Sequence, residues 1–292
     1  MVKLVIKRGD QVRFTIDVNS ETMIDDLIKL CAELHNSLLK IERICAELEE
    51  LAEHGVTMPP NMQGLNEEQI SELKLKDDYL EKCTPSGGYV ERSDDMRRRN
   101  GRAPIETMAK VLMTAAKDAK DMVSRKCADQ NKDLTKDIIK DAMSILTGSV
   151  MIVFPMGLPP YDPIRMEFDN EEELAGTQAE KEVIAQESAT LWFCGKELLK
   201  SHKLSEYSGK NEKTKIVVKL SKVGHGPPAR EPVVNEADQR AMMAFYHRKQ
   251  EEWKKLEEKN KDDDSYLDSP WADNNRLKRE FHGLNNVKWG PR

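Results

Sequence analysis

The residues here best able to act as nucleophiles, proton carriers or metal ligands are six histidines and five cysteines in a chain of 292 residues. The histidines stand at positions 35, 54, 202, 225, 247 and 282, and the cysteines at 31, 45, 83, 127 and 194. A protein-bound zinc ion takes its ligands in closely spaced pairs, and no two cysteines are so placed. No histidine has a nearby cysteine, aspartate or serine in a catalytic pattern. The phosphate-binding glycine loop, the dinucleotide glycine fingerprint, His-Glu-x-x-His and Gly-x-Ser-x-Gly are all missing. The expectation is therefore a protein that is not an enzyme, with no catalytic, cofactor-binding or metal-binding residues and no small-molecule substrate. Its cysteines read as reduced, packed thiols.

Two charged stretches could bind ions or partners. Arg92, Arg97, Arg98, Arg99 and Arg102 crowd a loop at 83–104, but Glu91, Asp94 and Asp95 interleave with them. A solvated, self-neutralised loop is the simpler expectation than a phosphate or acidic-partner contact. Glu171, Glu172, Glu173, Glu180, Glu182 and Glu187 punctuate residues 169–190, which read as an acidic, solvated helix without any calcium-loop pattern. The net charge of −6 disfavours a general nucleic-acid binder. No apolar run is long enough to span a bilayer and the opening MVKLVIKRGDQVRF lacks a signal-peptide pattern, so no membrane insertion is expected. Apolar residues at 38% and charged residues at 34% leave room for a real core beside long solvated helices.

The aromatic residues are more informative than the titratable ones. Trp192, Trp271, Phe281 and Trp289 are the candidate partner-binding residues. Trp192 lies in TLWFCGK (190–196), a period-two pattern that turns Leu191 and Phe193 inward and Trp192 outward. It is expected either to be covered by the chain itself or to form a recognition surface. The other three lie in a polar C-terminal stretch, 265–292, whose spaced aromatics suggest anchors that bind a groove.

The elements that position these residues follow from periodicity. Residues 2–7 and 12–18 alternate around Arg8-Gly9-Asp10 as a β-hairpin. Thr22 with Asp25 looks like a capping box, followed by Leu27, Cys31 and Leu34 at helical spacing. Asn36-Ser37 is a candidate break before a second helical stripe, Ile41, Cys45, Leu48 and Leu51. A short amphipathic stretch at 66–82, two helices at 105–128 and 134–147, and an apolar run at 150–154, either a strand or a buried helix end, come next. MGLPPYDPIRMEF (156–168) reads as a packed loop because its prolines forbid a regular helix. LSEYSG (204–209) is a short helical turn and TKIVVKL (214–220) a strand. Past Pro227, Pro228 and Pro232, residues 235–260 form a polar helix with one stripe of Ala241, Met242, Phe245, Tyr246, Lys249, Trp253 and Leu256.

The order Leu191-Trp192-Phe193-Cys194-Gly195-Lys196-Glu197-Leu198, Leu204-Ser205-Glu206-Tyr207, Ile216-Val217-Val218-Lys219-Leu220 resembles the second half of ubiquitin, and the N-terminal hairpin and helix resemble its first half. The resemblance implies an α+β fold: a ubiquitin-like β-grasp domain split by a large, mainly helical insertion, with a helical and partly irregular C-terminal tail. Its parts are residues 1–35 (first half), 36–189 (insertion), 190–223 (second half) and 224–292 (C-terminal helix and tail). A folded insertion is tolerable because loop-closure cost grows only logarithmically with length. The chain continues past Leu220 with no Gly-Gly there, so conjugation to other proteins is not implied.

Further stretches, EELAEHG (49–55), PPNMQGL (59–65), MGLPPYDPIRMEF (156–168), GKNEKTKI (209–216), PAREP (228–232) and SPWADN (269–274), resemble the Kurly family of cilia- and flagella-associated proteins. That resemblance implies a non-enzymatic adaptor or assembly factor for motile cilia. Its action would lie in outer dynein arm assembly, ciliary motility and the positioning of cilia linked to planar cell polarity. The implied partners are proteins of the dynein-arm assembly machinery or the axoneme, and the implied places are cytoplasm, basal body and axoneme. A structural component bound to axonemal microtubules or dynein arms is the alternative.

Overall fold

The computed structural model describes residues 1–130, 132–209, 211–224, 226–228 and 236–263, in two units, Met1–Ala229 and Arg230–Arg292. The first unit opens with β1 (Val2–Arg8), β2 (Gln11–Val18) and α1 (Ile24–His54). Next come α2 (Glu67–Glu72), a small hairpin of β3 (Tyr89–Glu91) and β4 (Arg102–Pro104), then α3 (Glu106–Met122) and α4 (Arg125–Asp129). They are followed by α5 (Lys136–Val153), α6 (Pro163–Asp169) and α7 (Gln178–Glu182). The unit continues with β5 (Ala189–Phe193), β6 (Lys196–Glu197), α8 (Leu204–Ser208) and β7 (Lys215–Lys222). In the second unit the described element is α9 (Glu236–Asp263).

The fold is α+β. Its main sheet has the order β2-β1-β7-β5-β6, with β1 and β7 parallel and the other pairs antiparallel. Residues 2–8 thus pair with 11–18 and also lie beside 215–222, uniting segments two hundred residues apart in sequence. Alternation sets the faces. Val2, Leu4 and Ile6, with Ile16, Ile216, Val218 and Leu191, point into the core, each at most 4% exposed. Lys3, Val5 and Lys7 lie on the other face of β1, and a bulge between Ile6 and Lys7 shifts the β1–β2 register there.

At 31 residues, α1 is about 46 Å long and joins the two halves of the core. Leu27, Ile28, Cys31 and Leu34 fall in one core cluster with the inner sheet residues. Farther along, Ile41, Ile44, Leu48 and Leu51 join Leu112 and Ala116 of α3 and Ala142 and Leu146 of α5 in the same cluster. Ala116 and Ala119 of α3 and Ala142 of α5 are fully buried there.

Several expectations are corrected. The helix does not break at Asn36-Ser37, so residues 24–35 and 36–54 are one element across the expected boundary at 35/36. Asn36 is tolerated because its amide exchanges two hydrogen bonds with the Ile184 backbone, at 2.7 Å and 3.0 Å. The N-cap of α1 is Met23 without a side-chain cap, not the Thr22–Asp25 box; the Ile24 amide instead donates to the His202 carbonyl. Of residues 66–82 only α2 is helical. Of the two readings of 150–154, the helix end holds: the run closes α5, with Phe154 at its C-cap. Pro163 does not prevent a helix: it sits at the first turn of α6, where no amide donor is needed, and Asp162 caps it. Residues 169–190 do not form one helix. Glu171–Glu173 are like-charged neighbours, and the chain runs along α1, tied by Glu172 to Lys40 and Arg43 and by Ile184 to Asn36.

Candidate functional site

Among the described residues of the first unit, His35, His54 and His202 form no cluster that could hold a metal ion. His35 is 1% exposed on α1, with its Nε2 2.6 Å from Nη1 of Arg8. Burial lowers its pKa to about 4, assisted by the positive charges of Arg8 and Arg13. His202 pairs with Glu206 four residues on, and His247 lies 3.7 Å from Glu251 on α9. Among the described residues no group of histidine, cysteine and carboxylate side chains could hold a metal ion. Burial pushes the thiols of Cys31 and Cys45 up to about 12 and about 11, so neither presents a thiolate near neutral pH.

The arginine loop is not the solvated segment its composition suggests. Arg99 has a wholly buried side chain that pairs with Glu47 of α1 and donates to the Gly55 carbonyl. Arg98 also pairs with Glu47, at 2.6 Å. Asp94 closes the loop by accepting the backbone amides of Met96, Arg98 and Arg99. These arginines are fastened to α1 by acids outside the loop, so a phosphate contact would have to displace those partners.

Trp192 lies in the outer row of the sheet. It stands opposite Lys219 on β7 and Glu197 on β6, while Lys219 stands opposite Lys7 on β1. Its side chain is half-buried, Leu191 is fully buried and Phe193 packs against the core edge, as alternation requires. Val217, one residue from the core-facing Val218, is 44% exposed on the outer face. The turn after Trp192 has positive φ at both central residues, 50° at Cys194 and 78° at Gly195. That is the geometry of a two-residue hairpin turn that favours asparagine before glycine. Cys194→Asn should therefore raise stability by about 0.5–1 kcal/mol. An unchanged urea midpoint would refute the assignment of strain to this turn.

Trp271, Phe281 and Trp289 lie outside the described residues. Between Ala237 and Glu258 the side chains of α9 are all exposed, including Met242, Phe245, Tyr246, Trp253 and Leu256 of the expected stripe. One surface feature escaped the sequence reading. Met151 and Ile152 at the end of α5, with Met156 beyond it, are 66%, 59% and 76% exposed. The signal was two apolar residues on the outer side of the helix, read instead as part of a buried run. Met151 and Met156 border an open groove of about 600 Å³ between α5 and α6. No helix among the described residues is long and apolar enough to cross a membrane.

Comparison with known proteins supplies what this geometry does not. The family model for cilia- and flagella-associated protein 298 matches residues 189–287. Cilia- and flagella-associated protein 298-A of Xenopus laevis is 52% identical over 292 residues, covering 100% of each chain. The proteins of the same name from Homo sapiens and Rattus norvegicus are 53% and 55% identical, again over 100% of both chains. No solved structure matches. On full-length similarity of this degree, the chain belongs to the cilia- and flagella-associated protein 298 family.

Proposed function

We propose that this protein is a non-enzymatic adaptor of motile cilia that acts in the assembly of outer dynein arms, working in the cytoplasm and at the ciliary base. The observation that carries the ciliary part is the full-length similarity to proteins named for cilia and flagella. On this reading the main sheet with residues 24–35 of α1 is a ubiquitin-like β-grasp domain, split by residues 36–189. A partner protein contacts its outer face around Trp192 and is also held by Trp271, Phe281 and Trp289.

Fractionation of ciliated cells tests the role. An assembly factor remains in the detergent-soluble cytoplasm, and its loss removes outer arms from axonemes that are otherwise built. Co-purification in fixed ratio with salt-extracted doublets would overturn the reading in favour of a structural axonemal component.

The Trp192 surface makes a separate expectation. Trp192→Ala should cost about 1–2 kcal/mol, because only part of the ring is removed from water, yet it should abolish rescue of ciliary motility. Full rescue by the folded variant would remove Trp192 from the partner surface.

A further inference from the structure

The groove between α5 and α6 and the exposed face of α9 are both large apolar surfaces facing water. Such surfaces on a folded protein mark interaction sites more often than chance exposure does. Met151 and Met156 flank the groove, Phe154 forms its buried floor and Phe168 its wall. Methionine rims adapt to the shape of an inserted side chain. Arg165 and Asp169 close one edge, 3.6 Å apart, and Arg165 is held there by the Leu158 carbonyl at 2.8 Å. An occupant with large apolar anchors, and with a cation and an anion one helical turn apart, matches this groove by exchanging the exposed Arg165–Asp169 pair for ion pairs of its own.

The chain contains a helix of that description. On α9, Met242, Phe245, Tyr246, Trp253 and Leu256 form one stripe at helical spacing. Lys249 sits in the middle, 5.9 Å from the Phe245 ring centre and 5.8 Å from that of Trp253. Glu252 lies one turn further along the same side. A helix this polar, with its stripe in water, is only marginally stable unless that face docks.

We propose that α9 of one copy of this chain occupies the α5–α6 groove of a second copy, Lys249 meeting Asp169 and Glu252 meeting Arg165, so that two chains exchange helices. The exchange is closed by two-fold symmetry, so each contact is made twice. This dimer does not depend on the ciliary role proposed above.

Full-length chains test it by sedimentation equilibrium. The wild type should show a monomer–dimer equilibrium. Asp169→Lys alone and Lys249→Asp alone should each weaken it by about tenfold or more, since each places like charges at both contacts. Mixed in equal amounts, the two variants should dimerise to within about threefold of wild type, because both contacts then pair opposite charges. Asp169 is 56% exposed and Lys249 is exposed, so both variants should still fold, as a single cooperative unfolding transition of each would show. A wild type that stays monomeric up to about 100 μM, or a mixture no tighter than the separate variants, would overturn the proposal. Docking of α9 within its own chain gives a monomer that mixing cannot rescue, and so also counts against it.

Discussion

Arg99→Met should destabilise the protein by about 3–5 kcal/mol, the largest loss expected from any single substitution discussed. The Arg99 side chain is 0% exposed. Its Nη1 donates to the Gly55 carbonyl at 2.8 Å, and its Nη2 donates to Glu47 at 2.5 Å. Nε lies 3.5 Å from Glu50. Asp162 is buried nearby, where burial pushes its carboxyl up and the charge of Arg99 pulls it back down. That carboxylate also accepts the amides of Thr57 and Ile164, so it fixes both the chain leaving α1 and the start of α6.

Methionine fills similar space but supplies no donor. The Gly55 carbonyl loses its partner, Glu47 keeps only Arg98, and Asp162 loses the neighbouring cation. The backbone is closely packed here. Gly55 has a φ of 82°, and a Cβ placed on it would stand 2.3 Å from the Arg102 carbonyl oxygen. Arg99→Lys should restore less than half of the loss, because an ammonium cannot span Gly55 and Glu47 as a guanidinium does. Arg97→Ala, at an exposed position in the same loop, should cost less than about 0.5 kcal/mol. Urea unfolding at constant slope is the measurement. A loss below about 1 kcal/mol for Arg99→Met would show that the buried pairing is not what holds the loop.

Acidification from pH 7 to pH 4 should cost roughly 3 kcal/mol through His35 alone. In the folded chain its pKa is lowered to about 4 from an ordinary 6.5, by burial first and then by Arg8 and Arg13. The unfolded chain therefore takes up this proton as pH falls below about 6.5, while the folded chain refuses it until about 4. Stability from the neutral ring is complete above pH 6.5 and is lost progressively down to about pH 4. Protonation would place a second cation against Arg8, which also donates to the carbonyls of Lys181 and Glu182. Carboxylates titrate in the lower part of the same window, so the informative quantity is the difference between wild type and His35→Gln. The variant should be less stable at pH 7 and should lose less between pH 6.5 and 4.5. Parallel stability curves for the two proteins would mean that His35 does not exclude the proton.

The sequence by itself determined strand patterns at 2–7, 12–18, 190–196 and 214–220, the two apolar stripes that the structure joins in α1, and the amphipathic helix at 235–260. A period of two or of 3.6 fixes which side chains share a face whatever lies opposite. It also placed Leu191 inside and Trp192 outside, since one strand's alternation suffices. Only the tertiary structure decided the fate of the polar residues. Asn36 reads as a break, yet the helix continues because Ile184 satisfies its amide. Arg99 reads as solvated beside Asp94 and Asp95, yet it is buried against Glu47. Glu167 carries no signal of its own within the packed segment 156–168, and it is 5% exposed and bound by two nitrogens of Arg43. The acidic run 171–187 stays out of a long helix because α1 offers it Lys40, Arg43 and Asn36 as partners. An apolar side chain needs only to leave water, and its spacing along the chain announces that. A buried charge or amide is tolerated only where a particular partner meets it, and here that partner lies up to 148 residues away, where no local pattern can reveal it.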